Sequence, residues 1–501
     1  MEMAAAAKGP SAPEWRVTVP EGASVAVEHE ACRAARAWAW LVSCVLTFRD
    51  RVLGFGRRVW RIGADDPRRA VHGLKVGLAL TLVSVFYYTR PLYDGVGGAA
   101  MWAVLTVVVV FEYTVGGCVY KGFNRAFATA SAGVIALGVH WIASKTDDKF
   151  QPFIRSGSVF VLAAMATFSR FIPTVKARFD YGVTIFILTY SLVAVSGYRV
   201  DALVAMAQQR VCTIAIGVSM CVAICALICP VWAGQELHRA TVRNMDKLAD
   251  AVEACVEGYF AAAAAGEEAK VNSNKKAAEG YKCVLNSKAS EDSQANLARW
   301  EPAHGRFAFH HPYGQYRNVG AAMRHCAYCV EALRCCIRSA EIQAAAAAAA
   351  PCHARRHLAG ACARVAARCA TALRAASSSV DTMTTSRGLD LAVVEMNAAV
   401  EELQADLRAL PSRLLLAEAT TTAGSAAAEP AAPMVGAAQL FTITSLLIEV
   451  SLRIEGVVDA VDTLANLANF ESAAGDENEK PAKNVIRESE GNGTMKTLEQ
   501  A

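Results

Sequence analysis

Charged residues are scarce in this chain of 501 residues: Asp, Glu, Lys and Arg make up 19% of it, against 54% hydrophobic residues. So apolar a chain has too much to bury to remain disordered, and an ordinary soluble domain carries more charge. Neither sign dominates, because 50 basic residues oppose 46 acidic ones and leave a formal charge of +4. That near-balance removes support for a nucleic-acid binder with a strongly basic surface. Phosphate-cradling and nucleophile motifs are missing as well, with no Walker loop, no Gly-x-Gly-x-x-Gly in strand context and no Gly-x-Ser-x-Gly elbow. Nothing calls for an enzyme or for a cofactor.

The sixteen cysteines do not read as a disulfide framework. Cys118, Cys212, Cys221, Cys225 and Cys229 fall in apolar runs, and Cys255, Cys362 and Cys369 on alanine-rich helical stretches. Small buried thiols in reducing surroundings fit better. Cys326-Ala-Tyr-Cys329 is half of a zinc pattern with no second Cys-x-x-Cys after it, so no metal centre is expected. His310 and His311 lie in an aromatic loop, where a packed or exposed role competes with pH sensing.

What the chain does contain is a series of six apolar runs, at 70–89, 95–111, 126–144, 154–170, 180–197 and 211–229. Several approach the roughly 20 residues that cross a bilayer as a helix. The fourth is short, its uninterrupted apolar part running only over Ser156–Ser169, so Arg155 and Arg170 must snorkel at its ends or the helix must sit within a protein bundle. Residues 1–69 carry no secretory signal. Within them, residues 31–61 mix Trp38, Trp40, Phe48 and Phe55 with Arg49, Arg51, Arg57 and Arg58. Two readings stay open there: an amphipathic helix on a membrane surface, its cations near anionic headgroups, or a surface helix packed on its own protein.

Basic residues gather before the first run, between the second and third, and between the fourth and fifth. By the positive-inside rule those sides, and both termini, are cytosolic. After Pro230 apolar residues recur with helical spacing over 235–260, 316–346, 353–376, 389–410 and 436–470. Residues 267–294 and 417–434 read as loops, and 471–501 as a disordered tail. The expected fold is an all-α membrane protein: an N-terminal segment 1–69, six transmembrane helices over 70–232, and a cytosolic helical domain over 233–470.

Ionised side chains in or beside the apolar runs are costly, so they line water or find partners. Those standing out are Lys75, Glu112, Lys121, Arg125, Arg170, Lys176 and Arg210, and all but Glu112 are cations. Fixed positive charge lowers the energy of a dehydrating anion and raises that of a cation, which implies anion passage. For Lys75, Arg170 and Lys176, near span ends, snorkelling to headgroups is the competing explanation. Lys121 and Arg125 are four apart and share one helix face, with Gly122 allowing close helix approach. Arg210 opens the sixth run from the opposite side, and Glu112 is expected to pair with a nearby cation.

These residues belong to a longer pattern. Asp-Pro-Arg-Arg at 66–69, Leu74-Lys-Val-Gly-Leu-Ala-Leu-Thr-Leu-Val83, Arg90-Pro-Leu-Tyr-Asp94, Met101-Trp-Ala-Val, Thr106-Val-Val-Val-Val-Phe-Glu112, Lys121-Gly-Phe-Asn-Arg125, Phe179-Asp-Tyr-Gly, Ser196-Gly-Tyr-Arg199, Pro230-Val-Trp-Ala-Gly234 and Trp300-Glu-Pro302 occur in this order. Together they resemble the plant aluminium-activated malate transporter family, over about residues 60–340. The resemblance implies a homodimeric anion channel for malate and other organic anions, chloride or nitrate. It places the family's pore cations on Lys121, Arg125 and Arg210. Of three extracellular acids that hold aluminium in responsive members, it matches Asp94 and Asp201, with Ala205 in the third place, so aluminium activation is not expected. Trp300-Glu301-Pro302 reads as a structural docking element at the start of the cytosolic domain.

The expected function is therefore a gated channel passing malate, chloride and nitrate, with lipid and a second copy of the chain as partners and no nucleic acid. Plasma membrane is preferred over vacuolar or other internal membranes. The hydroxyl-rich run Ser377–Ser386 marks a place where a regulatory kinase would add negative charge. Two alternatives remain: a proton-coupled carrier of organic anions or aromatic acids, disfavoured by the lack of an acidic or His relay, and a membrane-anchored interaction protein.

Overall fold

The computed structural model describes residues 4–8, 12–16, 33–89, 100–147, 149–196, 203–261, 277–308, 310–347, 353–421 and 431–472. Among the described residues the chain is all-α apart from two pairs of short strands, and it divides into two compact units, Met1–Leu74 and Lys75–Ala501.

In the first unit, β1 (Ala4–Lys8) pairs antiparallel with β2 (Ala12–Arg16), a hairpin that the sequence pattern did not announce. Helix α1 (Arg33–Asp65) follows. Leu41, Val45, Phe48, Val52, Phe55 and Val59 recur at alternating intervals of four and three and form an exposed apolar stripe. Arg57 and Arg61 lie opposite it, and Arg51 and Arg58 on one flank. Asp66 then starts helix α2 (Pro67–Tyr88): its Oδ1 accepts the Arg68 N–H at 3.2 Å, and Pro67 takes the first helical position.

Beyond α2 come α3 (Ala100–Val110), α4 (Val115–Ser144), α5 (Gln151–Ser169), α6 (Pro173–Ser196) and α7 (Leu203–Leu227). Among the described residues, four helices, α4 to α7, are long and apolar enough to cross a membrane, and α3 is apolar but shorter. Helix α5 buries none of its residues, and Phe153, Phe160, Met165 and Phe168 stand out from it. A mostly apolar helix that leaves so many large side chains uncovered fits non-aqueous surroundings.

Two helices begin earlier than their apolar runs. Thr114 starts α4 by accepting the Gly117 N–H at 3.2 Å, and Pro173 opens α6. Lys121, Arg125, Lys176 and Asp180 are thus inside helices instead of at their mouths; hydropathy misses a polar first turn that capping fixes. Close approach comes from glycine at two places. A Cβ on Gly122 would lie 2.6 Å from Val218 Cγ1 of α7, and one on Gly182 would lie 2.9 Å from Asn124 Oδ1.

The remaining helices are α8 (Ala233–Ala261), α9 (Tyr281–Leu285), α10 (Lys288–Ala298), α11 (Tyr313–Ala347), α12 (His353–Thr382), α13 (Arg387–Thr421) and α14 (Ala431–Ala468). Helix α8 packs on α12, α11 on α14, and α12 on α13. Leu237, Met245, Met323, Leu333, Leu373, Met396 and Leu403 are fully buried between them. The expected loop at 267–294 is corrected in its second half, where α9 and α10 lie. Their composition is polar, but Tyr281, Val284, Ala295 and Ala298 are buried, and the buried Glu291 is paired with Arg324. Helices α13 and α14 likewise run into the expected loop at 417–434. Residues 471–472 form β4, which pairs parallel with β3 (Thr384–Thr385); the rest of the expected tail lies outside the described residues.

The hydroxyl-rich run is not a linker either. Residues 377–382 complete α12, where Ser377 donates to the Val242 carbonyl at 3.3 Å and Ser379 to the Thr384 carbonyl at 2.7 Å. Ser378, Thr382, Thr385 and Ser386 are the exposed hydroxyls.

Candidate functional site

Helix α4 carries a polar column on one face. Lys121, Arg125 and Thr129 follow one another at intervals of four, then Ala132 and Ala136 pack against Tyr190 and Val193 of α6. At the far end, His140 Nδ1 lies 3.1 Å from the Arg155 guanidinium. The column thus has charge at its start, two small buried residues in the middle and polar groups beyond.

At the start, the Lys121 ammonium is ion-paired with the Glu112 carboxylate and lies 5.8 Å from the centre of the Tyr181 ring. One turn deeper, Arg125 is only 4% exposed, and its Nε has no hydrogen-bond partner. Asn124 beside it is satisfied locally, donating to the Tyr120 carbonyl at 2.9 Å. Among the described residues no ion pair offsets the charge of Arg125, and a cation held inside an apolar helix costs roughly 2.5 to 3.5 kcal/mol on insertion scales. Packing alone gives no reason to keep it, whereas an anion arriving beside it would gain from the low dielectric.

The other cations are not drawn to this column. Lys75 is 3% exposed, so it does not snorkel; its Nζ donates to the Cys229 carbonyl at 2.8 Å, satisfying an acceptor just past the end of α7. Arg170 grips Asp180 with two bonds, Nε to Oδ1 at 2.7 Å and a terminal nitrogen to Oδ2 at 3.2 Å, which neutralises it. Lys176 is exposed on the first turns of α6. Arg210 stacks 4.3 Å from the centre of the Trp102 ring. It precedes Val218, the residue touching Gly122, by roughly 12 Å along α7 at the helical rise. Asp94 and Asp201 lie outside the described residues.

A second constellation, visible in sequence only as Trp300-Glu301-Pro302, joins α4 to the C-terminal bundle. Glu301 Oε1 accepts N–H groups from Gly116 at 3.2 Å and Ala233 at 2.6 Å, and Oε2 accepts that of Gly234 at 3.0 Å. One buried carboxylate therefore satisfies orphan donors at the N-termini of both α4 and α8, where the helix dipoles favour negative charge. Burial pushes its carboxyl above the usual range, against the pull of these three bonds. Trp300 packs edge-on to Tyr120 at 5.7 Å and against Phe123 at 5.2 Å, on either side of Lys121 in sequence. No Cβ fits at Gly116, which touches the Leu297 carbonyl.

His311 belongs to the bundle interior. The Tyr316 hydroxyl lies 3.0 Å from His238 Nδ1 and 3.2 Å from His311 Nε2, and burial holds His311 down at about 4. It is neutral near pH 7. The folded-state value lies below the ordinary 6.5, so between about pH 6.5 and 4 only the unfolded chain gains this proton. Stability contributed by neutral His311 is full above that window and lost as pH falls through it, roughly 3 kcal/mol in all. Thermal midpoints of purified protein against pH should show this fall, and His311→Asn should flatten it.

These elements can be set beside known proteins. The sequence model of the aluminium-activated malate transporter family matches residues 60–432, from within α1 to the first turn of α14. The chain belongs to this family. It is 45% identical to aluminum-activated malate transporter 10 of Arabidopsis thaliana, over 93% of this chain and 97% of that protein. Against aluminum-activated malate transporter 1 of Triticum aestivum it is 40% identical, over 87% and 89% of the two chains. Against aluminum-activated malate transporter 2 of Arabidopsis thaliana it is 40% identical, over 87% and 81%. The relatives are named as transporters, not enzymes, and the apolar helices α4 to α7 fit a membrane protein of this family. The resemblance read from the sequence motifs is therefore correct. Thr129, Tyr181 and the three-way role of Glu301 are what that reading missed.

Proposed function

We propose that this chain is a gated anion channel that passes malate and inorganic anions such as chloride and nitrate across a plant membrane as a homodimer. The carrying observation is Arg125, a buried cation on an apolar helix whose Nε has no hydrogen-bond partner among the described residues. Lys121, Arg125 and Arg210 supply the positive charge along the path, and the Lys121–Glu112 pair stands at its entrance as a contact that an arriving anion loosens. Helices α2 and α3 complete six spans with α4 to α7, the C-terminal bundle and both termini face the cytosol, and α1 rests on the lipid surface. With six spans per chain, a second copy is a natural way to enclose water. Two carboxylates, Asp94 and Asp201, with Ala205 in the third place, supply too few ligands for aluminium activation. A kinase would reach Ser378, Thr382, Thr385 or Ser386. The plasma membrane is the preferred location.

The test is electrical. Purified protein in planar bilayers, with malate, chloride or nitrate gradients, should give currents whose reversal potential follows the anion gradient. Reversal that tracks pH instead would establish a proton-coupled carrier, and absence of current would favour an interaction protein.

A further inference from the structure

Arg125 is not alone in lacking partners. Thr129 Oγ1, one turn further along the same face of α4, is buried with no hydrogen bond, and so is the hydroxyl of Tyr181. For Thr129 this departs from its surroundings. Thr81, Ser84, Thr106, Ser131, Ser158, Ser169, Thr184 and Thr213 all return their hydroxyl protons to a carbonyl three or four residues earlier. That bond is the ordinary way to satisfy a hydroxyl in an apolar helix. Thr129, 3% exposed, forgoes it. Tyr181 lies nearer the start of the same column: its ring is beneath Lys121, and the neighbouring Gly182 touches Asn124, which adjoins Arg125. Helices α4 and α6 are packed along this stretch, so three buried polar groups, all able to donate, are gathered in one interface.

Buried donors without acceptors are rare because each forfeits its hydration. Three along one interface share one remedy, acceptors from outside the chain. A guanidinium offers a planar fork to a carboxylate, and flanking hydroxyls replace water that the carboxylate sheds.

We propose that the Thr129 and Tyr181 hydroxyls act with Arg125 as successive ligands of desolvated carboxylates along the path. The site rests on the channel reading given above. It deepens that reading by making the two hydroxyls selectivity residues: they serve an anion with strong, directional acceptor oxygens more than they serve a spherical halide. Arg125 provides charge to both kinds of anion; the hydroxyls tell them apart.

Reversal potentials with malate on one side and chloride on the other test this. Thr129→Val keeps the shape and removes the donor, and Tyr181→Phe does the same. Each should lower malate permeability relative to chloride about threefold to tenfold with chloride current retained, while Thr129→Ser should keep the wild-type ratio. An unchanged ratio in both Thr129→Val and Tyr181→Phe would overturn the assignment, with the channel reading intact. If the wild type itself passes no anion, the channel reading fails first. For a variant without current, the malate-induced rise in thermal midpoint of the purified protein decides: a rise lost from the variant supports the site, and a rise equal to wild type removes it.

Discussion

Replacing Arg125 by alanine is expected to cut anion current at least tenfold and to leave the protein as stable as before, or more stable. At an effective dielectric of about 20, a unit charge about 4 Å from a passing anion contributes about 4 kcal/mol. Part of that is offset by desolvation of the anion, and tenfold corresponds to about 1.4 kcal/mol. The stability sign runs the other way because Arg125 is buried with no partner at Nε, so the folded protein bears its desolvation without an ion pair in return. Removing it relieves that cost. Single-channel conductance and the thermal midpoint, measured on the same preparation, separate the two effects. Arg125→Lys, which keeps the charge and loses the fork, should fall between wild type and alanine. Wild-type conductance in Arg125→Ala would end its role in the path.

Glu301→Ala is expected to destabilise the protein by about 3 to 5 kcal/mol and to loosen the start of α4. Three backbone N–H groups, of Gly116, Ala233 and Gly234, lose one buried acceptor together. Glu301→Gln should be intermediate. Its carbonyl can still serve the two donors at Oε1, but its amide then faces the Gly234 N–H, donor against donor. Protection of the α4 and α8 N-terminal amides against hydrogen exchange reads the effect directly. Current should fall in parallel, because the same carboxylate anchors the helix that positions Lys121 and Arg125. Unchanged protection in Glu301→Ala would show that the two helix starts are held by other contacts.

Much of this molecule is legible before folding. The apolar runs locate α4 to α7, helical spacing locates α8 and α11 to α14, and the motif at 121–125 places two cations on one face. What failed in the sequence reading failed for one reason. Residues 281–294 looked like a loop because buried Tyr281 and Val284 are sparse among polar neighbours, and the Glu291–Arg324 pair that satisfies the interior joins residues far apart in the chain. Lys75 and Arg170 looked like pore cations because their partners, the Cys229 carbonyl and Asp180, cannot be read from apolar periodicity.

The sequence by itself determined the class of molecule and its chemistry: an apolar helical protein of the malate transporter family with an excess of cations where a membrane protein has few charges. Which of those cations have partners among the described residues was decided only by the tertiary structure. Charge is a property of a residue, but availability depends on who stands next to it. Folding gave Asp180 to Arg170 and a carbonyl to Lys75, and left Arg125 buried with its Nε unsatisfied.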